Sequence, residues 1–451
     1  MFREKILAHI ENKDMEGLKM LLRDSEDLEI LYAFNDLSGE EQVIVFRLLT
    51  KDSALELFEE LDTTAQQNLL RSFTDEKSVE FVNELPPDDR VRLLEELPAG
   101  VAKRLLGSLS SEERASTNML MGYESETAGR IMTTEYISLK RDMTAQEALD
   151  RVRLQAKDKE TIYTLYVTDN AKKLEGVLSL KELLIAEPDT KTEDIMSKKV
   201  ISVFTGTDQE ETARILQELD LLAIPVVDKE ERLVGIVTID DAVDILEDEA
   251  TEDILFQAGL VASSETNRSE VLIHGSLWSI WKVRLPFLFI TIAAGMLAAL
   301  VMEGFEDILN SVTAIAFFLP LIMDMGGTVG TQSSTTFARG VVLGHIQMKS
   351  FFNHFLKETG IGLSLGGISG LIAGVIAAVW QGMPMFGVAV GLAVAATMTL
   401  AAMLGFLVPY ILIKLNVDQA AGSAPIITSI KDISGLLIYF AVVSTLLGYL
   451  L

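Results

Sequence analysis

From Leu37 onward an apolar residue recurs every twelve positions: Leu37, Leu49, Leu61, Phe73, Leu85, Leu97 and Leu109. Four residues before each stand Ala33, Val45, Leu57, Leu69, Phe81, Leu93 and Leu105, and immediately after each comes Ser38, Thr50, Asp62, Thr74, Pro86, Pro98 or Ser110. An i, i+4 apolar pair followed by an N-cap or first-turn residue predicts a short capped helix. Repetition at a fixed period predicts helices stacked into a small superhelix. Near Met132 the pattern changes to alternating β-branched segments, and behind residue 275 it changes again, to long apolar runs. Leu285 to Met302 is uncharged and long enough to cross a bilayer. Further spans are expected at about Ile308 to Phe337, Ile361 to Trp380, Met385 to Ile413 and Ala424 to Leu451, with Pro320, Asp324 and Gly326-Gly327 inside the second.

The β-rich region contains two copies of one pattern, 64 residues apart. IMTTEYISL from Ile131 lies over IMSKKVISV from Ile195, TLYVTD over IPVVD, and GVLSLKEL from Gly176 over GIVTIDDA from Gly235. Each copy reads as strand, helix, strand, strand, helix. The arrangement resembles a pair of CBS domains, regulatory modules that dock pseudo-symmetrically and often bind adenine nucleotides. That resemblance implies a nucleotide (ATP) site at Thr238 and Asp241 of the second copy and at Ser179 of the first, where Glu182 replaces the usual Asp. An empty cleft in a merely structural pair is the equal alternative.

Charge divides the chain sharply. Residues 1–275 hold 59 acids against 31 bases, and the remaining 176 residues hold seven of each. An acidic surface repels nucleic acid and attracts cations. Absence of Cys excludes disulfides and thiolate zinc sites, and four His without an HExxH spacing argue against a zinc protease. No phosphate-binding GxxxxGK[ST] loop is present, and nothing in the pattern points to an enzyme. The first residues lack an apolar signal core, so the front half is expected in the cytoplasm. Lys282 and Arg284 precede the first span, Arg339, Lys349 and Lys357 follow the second, and Lys414 follows the fourth, while the intervening connections have no base. The positive-inside rule then places the N-terminus in the cytoplasm and the C-terminus outside the cell membrane.

Three groups of carboxylates are candidates for chemistry. Asp88 and Asp89 follow Pro86-Pro87 at a helix start, where the macrodipole already favours them. Asp240 to Asp253 holds eight acids in fourteen residues without a base. On a helix this run predicts a buried stripe of Val243, Leu246, Ala250 and Ile254 and a separate acidic stripe of Asp241, Asp244, Asp248 and Glu252. Like charges at these spacings cost about a few tenths of a kcal/mol per pair, which a bound hard cation would offset. Within the spans lie Asp324 and Asp432, and Asp418 stands in the connection before the last. Intramembrane carboxylates usually mark ion paths. Lys431 is not expected to neutralise Asp432, because neighbours on a helix point about 100° apart. Asp324 precedes a Gly-Gly break at which a discontinuous helix would expose carbonyls to an ion, or it serves as an interface contact.

These segments together resemble the MgtE family of magnesium channels over essentially the whole chain. The resemblance is carried by ELPPDDRVRLLEELP from Glu84, TAGRIMTTEY from Thr127, the CBS-like pair, PLIMDMGGTVGTQ from Pro320 and DQAAGSAPIITSIKDISG from Asp418. It implies an all-α superhelical N-domain (1–128), an α/β tandem CBS pair (129–191 and 192–258), a connecting plug-like helix (259–284) and a five-span α-helical membrane domain (285–451). It further implies a homodimer in the lipid bilayer whose pore runs between spans two and five, with Asp432, Asp418, Asp324, Gly326 and Gly327 at the ion path. Cytosolic Mg²⁺ on Asp88, Asp89, Asp241, Asp244, Glu247, Asp248 and Glu252 would close it. Thr328 stands where the family usually has Asn, so ion preference is the point of departure. The competing readings are a channel for Co²⁺ or Mn²⁺ and a membrane sensor that transports nothing.

Overall fold

The computed structural model of the chain describes residues 2–61, 63–72, 75–97, 99–258, 260, 272, 276–342, 344–415 and 423–447. Asp418, the caps Asp62, Thr74 and Pro98, the repeat residue Phe73 and most of 259–276 lie outside them. Two units divide the chain, Met1–Glu249 and Ala250–Leu451.

The first unit begins with stacked short helices: α1 (Phe2–Glu11), α2 (Met15–Arg23), α3 (Asp27–Asn35), α4 (Gly39–Leu48), α5 (Lys51–Glu59), α6 (Thr63–Ser72), α7 (Asp75–Glu84), α8 (Pro87–Glu96), α9 (Ala99–Ser108) and α10 (Ser111–Leu120). Their caps are those the repeat predicts. Ser38 and Glu41 form a reciprocal capping box, Thr50 accepts from the Ser53 amide and Ser110 from that of Glu113, and Pro87 opens α8. Leu37, Leu61, Leu85, Leu97 and Leu109 are buried in one continuous core. A second twelve-residue ladder, Phe34, Phe46 and Phe58, packs edge to face, with Phe81 inserted against the last two at 5.7 and 4.7 Å. Each helix is too short to be stable alone, so this shared core makes the repeat one body.

Two three-stranded sheets follow. In the first copy α11 (Ala128–Ile131) leads into β1 (Ser138–Lys140), α12 (Ala145–Gln155), β2 (Thr164–Thr168), β3 (Leu174–Ser179) and α13 (Leu180–Ile185). The second runs α14 (Thr192–Ile195), β4 (Val203–Phe204), α15 (Gln209–Glu218), β5 (Ala223–Val227), β6 (Leu233–Thr238) and α16 (Ile239–Gln257). In both, the first strand pairs parallel with the second and the second antiparallel with the third. The copies are joined reciprocally. Thr133 bridges to Ile236 and Ser197 to Val177, while Met132 rests on Gly235 and Met196 on Gly176. A Cβ at either glycine would lie 2.5 Å from the methionine sulfur, which is why both copies carry glycine there.

One expectation fails in α16. Val243 and Ile254 are exposed, and the face turned inward is Ala242 with Ile245 and Leu246. The helix is rotated so that Asp241 is drawn toward the N-domain, where Val91 and Leu120 share its apolar cluster.

The second unit contains α17 (Leu277–Glu303), α18 (Glu306–Ser311), α19 (Ala314–Val342), α20 (Phe351–Gln381), α21 (Pro384–Lys414) and α22 (Ser423–Leu447), and among the described residues all of these but the short α18 are long and apolar enough to cross a membrane, five in number. Three features differ from the sequence reading. Residues 277–284, expected in a separate connecting helix, are the first two turns of α17. The segment from Ile308 is a short helix of its own before α19. Finally, α19 is continuous through Gly326-Gly327, so there is no break at that pair. The glycines serve side-chain space instead, as the site geometry makes plain.

Helices α20 and α21 form the tightest pair. Gly382 at φ +65° ends the first, Pro384 opens the second, and Gly366 and Gly374 let the backbones meet. A Cβ at Gly374 would stand 2.7 Å from the Gly387 carbonyl oxygen, which cannot yield as a side chain can. Gly374→Val should therefore destabilise the membrane unit by about 3 kcal/mol, measured by thermal unfolding in lipid nanodiscs. Gly367→Ala, with nothing within 4 Å, should be neutral or stabilising by the helix propensity difference.

Candidate functional sites: an acidic cleft and a membrane groove

Arg90 builds the first site. Its buried guanidinium donates to the carbonyls of Val82 (2.8 Å), Asn83 (3.2 Å) and Leu85 and to Thr117 Oγ1 (3.3 Å), and pairs with Glu113 at 2.5 Å. It thereby locks the start of α8 to the end of α7 and to α10. Asp88 and Asp89, in the first turn of α8, are held facing α16 and the first CBS-like copy. Burial raises Asp88 well above the usual carboxylate range, with Asp241, Asp89 and Glu160 adding to the shift. Its Oδ1 is enclosed and has no hydrogen-bond partner. Asp241 is raised to about 7 by burial first, opposed by the Thr238 hydroxyl that donates to it at 2.7 Å, and raised further by Asp89, Asp240 and Glu160. Asp89 stands at about 6, raised by burial and by Asp240 and Asp244 against the opposing pull of Arg92. Arg92 itself reaches Asp244 at 3.6 Å.

Glu160 completes the cluster. It stands at about 7, through desolvation first and then Asp240, Asp89 and Glu135, although its outer face still meets water that screens it. Sequence reading missed this residue, since nothing in the local stretch KDKETIY distinguishes it. Only folding brings that loop opposite α8 and α16. Glu247, Asp248 and Glu252, grouped with Asp241 on the sequence, lie farther along α16; at 1.5 Å per residue Glu252 is about 16 Å beyond Asp241. Among the described residues no three carboxylates or imidazoles converge closely enough to ligate one ion directly. The donor set is all oxygen, carries a surplus of negative charge and includes an orphaned carboxylate oxygen. This fits a hydrated hard cation held through water.

The first nucleotide candidate is occupied locally. Ser179 caps α13 in a reciprocal box with Glu182, its hydroxyl 2.7 Å from that carboxylate. Thr238 and Asp241 are bound to each other and belong to the acidic cleft as well.

The second site is an open groove of about 930 Å³ along α19 and α22. Its wall is a polar stripe within apolar helices: Asp324, Thr328, Thr331, Gln332, Lys431 and Asp432, with further threonines. Asp324 and Thr328 are exposed, and a quarter of the Asp432 side chain is. Lys431 does pair with Asp432, contrary to expectation: its Nζ lies 2.6 Å from Oδ1 and donates to the Met323 carbonyl at 2.7 Å. The two Cα–Cβ bonds diverge, but a four-carbon stem is long enough to fold back. The room for that stem comes from Gly326 and Gly327, where a Cβ would sit 2.9 Å from Lys431 Cδ and Nζ respectively.

Comparison with known proteins decides the family. The chain is 37% identical over 443 residues to the magnesium transporter MgtE of Thermus thermophilus, covering 97% of each. It is 30% identical over 438 residues to that of Bacillus subtilis, covering 97% of this chain and 96% of the relative. The chain belongs to the MgtE family of magnesium transporters. The family's divalent cation transporter domain matches residues 319–442, its intracellular N domain 25–126, and CBS domains 128–189 and 193–248. Two solved structures resemble the soluble part. The cytosolic domain of the Mg²⁺ channel MgtE in complex with ATP has a TM-score of 0.52 and 36% identity, covering 54% of this chain and all of that one. The soluble part of a magnesium transporter also scores 0.52, at 32% identity, covering 55% and 98%. The groove thus falls within the MgtE transporter domain, and the acidic cleft joins the MgtE N domain to its second CBS domain.

The cleft makes a signed pH prediction. A carboxylate whose folded pKa is raised binds a proton in the native state that the unfolded chain has already lost. Its cost to stability is absent below about pH 4, grows through the interval and is complete above about pH 7. In chelator, the melting temperature of the soluble unit should fall as pH rises from about 5 to about 8, and millimolar Mg²⁺ should reverse the fall. A melting temperature that rises over that interval would contradict the assignment.

Proposed function

We propose that this chain is a homodimeric, Mg²⁺-selective channel of the cell membrane, with its N-terminus and soluble domains cytoplasmic and its C-terminus outside. The observation that carries this reading is the groove. It is a carboxylate-, threonine- and glutamine-lined track in otherwise apolar helices, a composition that is expensive in a bilayer unless it conducts. In one protomer the groove is open on one side, so a second copy facing it across a two-fold axis would enclose the path. Asp432 from each subunit then meets the ion, and Asp324 and Thr328 line the approach. Gly326 and Gly327 act through the space they leave for Lys431. A wall rich in hydroxyl, amide and carboxylate oxygens suits a hard divalent ion that keeps its waters, and its lining residues include no imidazole or thiolate for softer metals such as Co²⁺. Inward movement needs no nucleotide hydrolysis, because a divalent charge gains roughly 4.6 kcal/mol per 100 mV, twice the single-charge value.

Gating follows from the acidic cleft. At high cytosolic Mg²⁺, ions held by Asp88, Asp89, Asp241, Asp244 and Glu160 offset their mutual repulsion, keep the N-domain against the second CBS domain and hold the channel closed. Glu247, Asp248 and Glu252 extend the same field along α16. At low Mg²⁺ the carboxylates repel, the cleft loosens and the channel opens. ATP, with which the related cytosolic domain is in complex, would compete at the CBS pair of this chain for Thr238 and Asp241 and so tune this response.

Three variants, measured as purified protein in liposomes with an Mg²⁺-sensitive dye, check the reading. Asp432→Ala should abolish flux, and unchanged flux would remove it from the path. Removing residues 1–130 should leave flux intact but weaken inhibition by Mg²⁺ on the side of the soluble domains. Glu160→Gln should raise the inhibiting concentration severalfold, whereas loss of transport itself would count against a sensor role.

A further inference from the structure

The Lys431 side chain is 4% exposed, its ammonium is set between a backbone carbonyl and a carboxylate, and two glycines are spent on its passage. A buried lysine is costly unless its charge is used. Among the described residues lining the groove, the ionisable ones are Asp324, Lys431 and Asp432. We propose that Lys431 is a tethered counter-cation of the ion path, a positioning residue that occupies one oxygen of Asp432 and sets the net charge the permeating ion meets.

The inference rests on the reading of the groove as a pore shared by two protomers. Two carboxylates and one ammonium leave one negative charge per protomer, hence two around the axis, the charge of one divalent ion. With Asp432 Oδ1 engaged by the ammonium, one oxygen of that carboxylate is left for the ion, so an ion would be met by single oxygens and water rather than by bidentate carboxylates. Without the ammonium, four uncompensated carboxylate charges would surround the axis in a low-dielectric wall. There each added charge strengthens attraction many times more than in water. Conduction requires binding tight enough to enter and weak enough to leave. Lys431 sets the site on the weak side of that balance.

The test is a charge series read by Mg²⁺ flux into liposomes as a function of Mg²⁺ concentration. Lys431→Met removes the charge with an unbranched stem of similar volume, and Lys431→Gln keeps a donor toward the Met323 carbonyl. Both should lower the half-saturating Mg²⁺ concentration about tenfold and reduce maximal flux, because the ion leaves more slowly. Asp324→Asn alone should raise the half-saturating concentration. The double variant K431M/D324N restores one negative charge per protomer and should return to near the native value, a rescue that a packing role for Lys431 does not predict. Half-saturation within twofold of native in K431M and K431Q, or no return in the double variant, overturns the proposal. If neither uncharged variant assembles but the double variant does, charge balance is supported; if none of the three assembles, Lys431 is a packing residue and the proposal falls. Native protein that conducts while K431M is unaltered refutes only this inference, whereas native protein that carries no Mg²⁺ refutes the channel reading beneath it.

Discussion

Carboxylates removed from water require a positive charge close by, and both candidate sites of this chain are organised by that requirement. In the soluble unit the fold supplies too little. Arg92 reaches Asp244 at its edge, yet Asp88, Asp89, Asp241 and Glu160 are held together with pKa values pushed up by burial and by one another. In the membrane unit the fold supplies a cation of its own, Lys431, against Asp432. In the proposed function the first arrangement leaves a deficit that a soluble ion would fill and so report its concentration, and the second leaves a smaller deficit, suited to an ion that must also depart.

Rigid scaffolding makes these deficits specific. Arg90 spends its hydrogen-bonding capacity on helix-end carbonyls and Thr117, which fixes where Asp88 and Asp89 stand. The reciprocal seating of Met132 on Gly235 and Met196 on Gly176 holds the two CBS copies in one register, and so delivers Glu160 from the first copy to a helix of the second. Across the membrane, the glycine-lined pair α20 and α21 forms a close-packed backing, while α19 and α22 carry the polar stripe.

Much of this was legible before the fold was seen. The twelve-residue apolar ladder, its Ser, Thr and Pro caps, the two overlaid strand patterns and the five apolar runs are local signals, and the local physics behind them survives folding. Failures occurred where tertiary contacts decided the outcome. Helical phase alone put Val243 and Ile254 inside, but docking of α16 against Val91 and Leu120 buried Ala242 instead. Gly326-Gly327 suggested a break because glycine is a poor helix former; long-range contact with Lys431 gives the pair its purpose in an unbroken helix. Cβ directions separate Lys431 from Asp432, but they ignore the reach of the flexible stem that joins them. Glu160 carried no sequence signal because its role exists only opposite α8 and α16.

The central claim is that one protein both conducts Mg²⁺ and counts it with carboxylates on its cytoplasmic body. Electrical recording of the native protein in a planar bilayer, with Mg²⁺ as the only permeant cation, tests both halves at once. The account predicts currents whose reversal potential follows the Mg²⁺ gradient and which are suppressed when Mg²⁺ is raised to millimolar levels on the side bearing the soluble domains, but not on the other. Absence of Mg²⁺ current, or suppression that is equal from both sides, would contradict it.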